Sequence, residues 1–262
     1  VDETYARAHG SNFLTEAARK AAEHRLHPDN REKHETLDAG RLYCDLLSSM
    51  PMCFNLFGPL WADPILAASV AGRWFPDLCE AGTRVEVRFE WSPGRRDPRW
   101  LGDRTAFDAA LFLRHETGTT VVGVETKYHE RAPATRTKEI RAEYRRVAEH
   151  AGMFNEPRTI DEVQGTPAEQ VWRDHLLALA CRQVPPPGID RIADVRYVLV
   201  APSGNPAWAD VCRNYEALLA RQVHPTFEYR TLDALIDEVA DLLPHTADFR
   251  ARYLDVEVEP RA

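Results

Sequence analysis

Two kinds of periodicity divide the chain. Between 84 and 130, apolar and polar residues alternate in short runs separated by turn residues, whereas on either side the apolar positions recur at helical spacing. RVEVRFEW (84–91) has the alternation of a half-buried strand, and SPGRRDPRWLGD is a long turn-rich connection. AFDAALFLRH (106–115) and TTVVGVETKYHE (119–130) predict two more strands joined at Glu116-Thr117-Gly118, which makes an antiparallel meander of three. Upstream, 1–40 is polar and rich in Ala, His and Glu, as expected of one or two exposed helices. The apolar stretch that follows is broken at Pro51 and Gly58-Pro59, and Ile65, Leu66, Ser69, Val70, Arg73 and Trp74 predict a packed helix over 62–75.

Downstream of the meander, 137–154 reads as a charged helix, and Thr166-Pro167-Ala168-Glu169 opens another in a capping-box pattern. RYVLVA (196–201) is continuously apolar, as a strand buried on both faces would be, and its position after helices predicts parallel pairing through a crossover. Asn205-Pro206 starts a helix carrying Trp208, Val211, Cys212, Tyr215 and Leu218 on one side. TFEYR is a short strand, and Leu232, Leu235, Ile236, Val239 and Leu242 mark a final amphipathic helix. The expected architecture is α/β, a mixed central sheet flanked by helices, with a helical N-terminal segment over 1–45 and the main domain over 46–262.

Composition sets limits on the functions open to this chain. Its 262 residues, 44% of them hydrophobic and 28% charged, describe an ordinary globular protein, and no apolar run approaches a membrane span. The N-terminus lacks the basic-then-apolar layout of a secretory signal, so a cytoplasmic protein is expected. Five cysteines without a C-x-x-C pair argue against a disulfide framework or a thiolate zinc site. A net charge of −8 excludes coating of nucleic acid by bulk electrostatics, yet 131–146 carries six basic residues against Glu139 and Glu143. A local basic surface on an acidic protein is consistent with that distribution.

Chemistry concentrates in the meander. Alternation puts Glu125, Lys127 and His129 on one side of their strand, and Asp108 interrupts an otherwise apolar strand, where an acid is costly unless paired or bound to a cation. With the turn at 116–118, Asp108 and Glu125 fall at mirrored positions. Two carboxylates about 4 Å apart repel by about 4 kcal/mol at an effective dielectric near 20, so the pair needs a cation. Hard oxygen ligands suit Mg²⁺ or Mn²⁺, and a lysine beside them can orient an attacking water or stabilise charge on phosphorus oxygens.

The layout Asp108, then Glu125-Thr126-Lys127 on the adjacent strand, resembles the PD-(D/E)XK nuclease superfamily, and the order α-β-β-β-α-β over about 60–202 matches its restriction-endonuclease-like core. The resemblance implies that Asp108, Glu125 and the backbone carbonyl of Thr126 bind Mg²⁺ (or Mn²⁺), with Lys127 as general base or electrostatic stabiliser. Phe107 stands where the family often has Pro. Some branches add a glutamine on the next helix, a place that Gln170 can occupy. The implied partner is nucleic acid, with DNA favoured, and the implied settings are restriction or phage defence, with a homodimer or a larger defence complex as assemblies.

Other signals weigh less. Arg104, Lys138, Arg141 and Arg173 are candidates for contact with a nucleic-acid backbone, as are Arg95, Arg96 and Arg99, although basic runs are by default solvated surface. Trp91 and Trp100, flanking the Arg-rich connection, are candidate stacking groups, while the other tryptophans sit at core positions. His129 is a minor candidate beside the carboxylates, and His24, His27 and His34 fit no zinc pattern. Two rival readings stay open: a non-catalytic nuclease-like module binding nucleic acid or a protein partner, and an enzyme acting on nucleotides or another phosphate substrate. A basic groove would favour the nuclease, and a closed small pocket the nucleotide enzyme.

Overall fold

The computed structural model describes residues 2–131, 140–156 and 158–255. The helices α1 (Glu3–His9), α2 (Glu16–Leu26), α3 (Ala39–Cys44), α4 (Ser49–Ala62) and α5 (Pro64–Trp74) lead into the strands β1 (Arg84–Trp91), β2 (Phe107–His115) and β3 (Gly118–Thr126). Then come α6 (Ala142–Ala151), α7 (Thr159–Val163), α8 (Glu169–Gln183), β4 (Ile192–Ala201), α9 (Pro206–Glu216), β5 (Phe227–Thr231), α10 (Leu232–Glu238) and α11 (Thr246–Tyr253). The strands form one mixed sheet in sequence order, antiparallel from β1 to β3 and parallel from β3 to β5. This is the α/β architecture expected of the pattern: an antiparallel meander, then strands reached through helical crossovers. Among the described residues no helix is long and apolar enough to cross a membrane.

Alternation within the strands divides the core in two. Ala109, Leu111, Leu113, Val122 and Val124 face α2, α4, α5, α10 and α11 on one side of the sheet, while Phe112, Val121, Tyr197 and Leu199 face α6, α8 and α9 on the other. Trp91 and Trp100 are 6% and 1% exposed and belong to the second core. The Arg-rich connection folds inward, with Trp100 Nε1 donating to Val184 O, so neither ring is a stacking surface. The charged helix expected over 137–154 begins at Ala142; residues 137–139 lie outside the described residues. The third strand ends at Thr126 rather than 130, and α11 is an element that the amphipathic pattern did not announce.

The first 45 residues pack tightly. Ala21, Ala22, Leu37 and Leu42 enter the same core as α4 and α5. Gly58 of α4 lies so near α2 that a Cβ there would stand 2.5 Å from Ala18 Cα. Asn55, fully buried in the apolar α4, accepts a hydrogen bond from Leu14 N and donates to Asn12 O, and its amide is 2.7 Å from Tyr253 Oη. One side chain thereby ties the N-terminal segment and α11 to the same helix.

Two expectations follow from this packing. Gly58→Ala should destabilise by about 1–3 kcal/mol, because backbone must move, although Ala gains about 1 kcal/mol of helix propensity. Gly72→Ala in α5, where a Cβ meets nothing within 4 Å, should stabilise by about 0.5–1 kcal/mol. Denaturant midpoints that move the same way in both would refute the packing. His175 is fully buried in α8, its ring nitrogens 2.8 Å from Tyr215 Oη and 2.7 Å from Thr226 Oγ1, and burial pushes its pKa down to about 3. The unfolded chain therefore takes up a proton that the folded chain refuses, and the contribution of His175 itself falls as pH drops below about 6.5, by about 2 kcal/mol between pH 7 and 5. Denaturation at both pH values should show His175→Gln losing less than the wild type.

Candidate active site

The end of the meander opens into a cavity of about 590 Å³, bounded by residues from the N-terminal segment, all three antiparallel strands, α6 and α8. The strand pairs Phe89↔Ala109, Trp91↔Phe107 and Ala109↔Val124 bracket a row in which Glu90, Asp108 and Glu125 stand on neighbouring strands. All three line the cavity. Register alone brings Asp108 and Glu125 together, since the tight turn at 116–118 leaves no slack in the pairing.

Each acid is held differently. Asp108 Oδ2 accepts hydrogen bonds from the N–H of Thr126 at 2.8 Å and from its hydroxyl at 2.7 Å. Glu125 Oε1 lies 2.5 Å from Lys127 Nζ and 2.8 Å from Gln170 Nε2. Glu90, with a left-handed φ of 49°, is neutralised by Arg95 at 3.3 Å and accepts from Thr36 Oγ1 at 2.8 Å. Its strained backbone is held in place by buried Arg25, whose guanidinium donates to Phe89 O and Glu90 O. Lys127 reaches past Glu125 to the face of Trp208, 5.1 Å from the ring centroid. Its own N–H donates to Val200 O, so the parallel strand β4 fixes the lysine's position.

Asp174 is an acid that the sequence reading missed. It lies one turn after Gln170 on α8, is buried, and lines the same cavity. Tyr197 Oη donates to its Oδ2 at 3.4 Å. Its signal lay in EQVWRDHLLALA, where a carboxylate sits among Val171, Trp172, Leu176 and Leu177 on a helix buried on most sides.

Burial raises all three carboxylates. Asp108 is pushed up to about 8, with Glu125 adding to the rise, while Glu125 and Asp174 are pushed up to about 7 against the pull of Lys127. Burial alone would lower Lys127, but the carboxylates of Glu125 and Asp108 outweigh it, so the ammonium is held charged more firmly than in water.

The basic candidates separate into two groups. Arg104, Arg141 and Arg173 line the cavity, joined by Arg41 of α3, which the sequence reading did not single out. Arg173 is half-buried with a buried Nε that has no hydrogen-bond partner among the described residues, and Glu169, 4.0 Å away, is its ion-pair neighbour. Arg141 donates to Gly102 O from the rim. Arg95 and Arg99 are occupied by Glu90 and Asp97, and Arg145 by Asp161. Lys138 and Arg136 lie outside the described residues. His129 lines a separate depression with Tyr128, Ser203 and Asn205 rather than this cavity.

A model of the PD-(D/E)XK nuclease superfamily matches residues 2–255. No curated protein and no solved structure matches the chain.

Without a divalent cation the acids outnumber the lysine that serves them. In EDTA at pH 8, Asp108→Asn should therefore raise stability by about 1–3 kcal/mol, and Lys127→Met should lower it by about 3–5 kcal/mol by stranding buried carboxylates. Because the folded acids bind protons more tightly than the unfolded ones, the wild-type protein in EDTA should also gain stability as pH falls from about 8 to 6.5. Urea denaturation tests all three signs, and a destabilised Asp108→Asn would show that the acid is structural.

Proposed function

The chain belongs to the PD-(D/E)XK nuclease superfamily, whose members are generally nucleases, and on that premise we propose that it is a metal-dependent nuclease hydrolysing phosphodiester bonds of DNA. The observation that carries the reading is the convergence of Asp108, Glu125, Lys127 and Gln170 on one solvent-reaching cavity whose rim bears arginines from separate elements. The exposed Arg41, Arg104 and Arg141 favour a substrate that extends beyond the cavity over a free nucleotide.

The donor set fits a hard divalent cation. The hydrogen bonds of Asp108 and Glu125 among the described residues fall on Oδ2 and Oε1, which leaves Oδ1 and Oε2 to the cavity. No group of three or more His, Cys, Asp or Glu able to hold a metal occurs among the described residues. Mg²⁺ keeps several waters and binds through one or two carboxylates, so this pair is the expected number. Asp108 and Glu125, with the Thr126 carbonyl that the resemblance adds, are the residues that would hold Mg²⁺ or Mn²⁺. When bound, such an ion lowers the pKa of its water and withdraws charge from the phosphoryl group.

The protein's own groups then have definable tasks. Thr126 orients Asp108 through its N–H and hydroxyl, and Gln170 fixes the rotamer of Glu125 from α8. Lys127, held cationic by its acidic neighbours, serves to stabilise charge developing on the phosphoryl oxygens rather than to accept a proton. Arg173, with an unfilled donor and a place in the cavity wall, is positioned for a phosphate oxygen, while Arg104, Arg141 and Lys138 are assigned to the flanking backbone. Restriction or phage defence is the proposed setting, with a homodimer or a larger defence complex as the working assembly.

Cleavage of linear, circular and single-stranded DNA with Mg²⁺ or Mn²⁺ tests the reading. The wild type should cut only with metal, and Asp108→Ala and Lys127→Ala should each lose at least about 10²–10³-fold in rate. The circular substrate distinguishes internal from end-directed cutting. If neither DNA nor RNA is cut and no divalent cation binds, the protein is a nuclease-like binding module instead.

A further inference from the structure

Apolar side chains left in water beside a catalytic cavity need an explanation. Leu46 and Leu47, between α3 and α4, are 43% and 61% exposed. Leu47 stands two residues before Ser49, at most about 7 Å along the chain. Ser49 lines the cavity, and its carbonyl lies 3.4 Å from the Thr126 hydroxyl that holds Asp108. Neither leucine lines the cavity itself, but Leu47 adjoins Ser48, whose hydroxyl accepts from Arg41, and both Arg41 and Ser49 line it.

The loop that presents them is braced rather than slack. Buried Asn12 donates to Leu42 O at 2.9 Å and to Asp45 O at 3.2 Å. Leu47 N donates to Asp45 Oδ1, Arg41 donates to Ser48 Oγ, and the backbone N–H and hydroxyl of Ser49 both donate to Glu130 Oε1. These contacts hold both ends of the loop and aim the two apolar side chains outward. A chain whose purpose here was only to connect two helices would gain by turning at least one leucine into the adjacent core.

We propose that Leu46 and Leu47 form an apolar wedge that enters the base stack of the nucleic-acid substrate beside the scissile phosphate, with Arg41 on the neighbouring backbone. The proposal rests on the nuclease reading and deepens it by naming how a duplex is engaged. Charge complementarity selects the occupant: Arg41, Arg104, Arg141 and Arg173 line the cavity beside carboxylates that a bound divalent cation would offset, so a polyanion carrying flat apolar bases matches both the arginines and the nearby leucines. Leucines inserted between base steps unstack and kink a duplex, which exposes the backbone to the carboxylates below.

The test uses a duplex carrying 2-aminopurine, whose fluorescence rises when its neighbours unstack, with Ca²⁺ in place of Mg²⁺ for binding and Mg²⁺ for cleavage. The double variant Leu46→Ala/Leu47→Ala should bind the duplex without the wild-type rise in fluorescence. It should cut the duplex about tenfold more slowly yet cut the same sequence as a single strand at the wild-type rate. Ile65→Ala, a still more exposed apolar residue on α5, should change neither readout. A wild-type protein that leaves 2-aminopurine dark, or a double variant that matches the wild type on the duplex, overturns the wedge. So does a wild-type dimer that the double variant converts to a monomer, since the leucines would then cover a second copy. Unstacking by a protein that cuts nothing would keep the wedge and defeat the nuclease reading alone.

Discussion

Three carboxylates, Asp108, Glu125 and Asp174, are buried around the single ammonium group of Lys127, and much of the architecture serves to keep them there. Left to electrostatics, the acids would separate or take up protons. They cannot separate, because each is attached to an element that cannot shift alone, and the crowding shows instead as raised proton affinity. Asp108 and Glu125 are locked by strand register, Asp174 by a helix buried on most sides, and Lys127 by its backbone bond to β4. The apolar layers on both faces of the sheet supply the stability that this crowding of like charge consumes.

The N-terminal segment shares in that support. Arg25 of α2 holds the end of β1 by two backbone carbonyls, and Arg95 pairs with Glu90, which tempers the charge that this acid adds beside Asp108. Thr36 and Arg41 close the cavity wall from the same segment. Removing the first helices would therefore loosen the site itself, even though the family's acids and lysine all lie far downstream.

Legibility in the sequence followed physical cause. The three meander strands and the acids on them could be read because strand alternation and a short turn fix both faces and register, and because an acid inside AFDAALFL has few structural excuses. Gln170 could be placed only through family resemblance, since nothing in a lone glutamine says what it faces. Asp174 escaped notice because its helix is apolar nearly all round, which blurs the periodic signal that would have marked its face as buried. The packing of the N-terminal helices was likewise hidden: Ala18, Ala21 and Ala22 read as helix formers, and only the close approach at Gly58 reveals them as a contact surface. Trp100 was misjudged because a run of arginines around it suggested an outside position, whereas the loop folds back under the ring.

The parallel pairing of β3 with β4 carries a consequence for how the protein is made. Lys127 takes its backbone partner, Val200, from 73 positions further along the chain, and Gln170 and Asp174 lie in the crossover between them. During synthesis, the meander leaves the ribosome with both of its acids in register but without the strand that seats the lysine or the helix that fixes Glu125. Contacts of such sequence separation form late. A nascent chain of this design emerges with its site incomplete, and the acids, lysine and glutamine come together only once most of the polypeptide has been made.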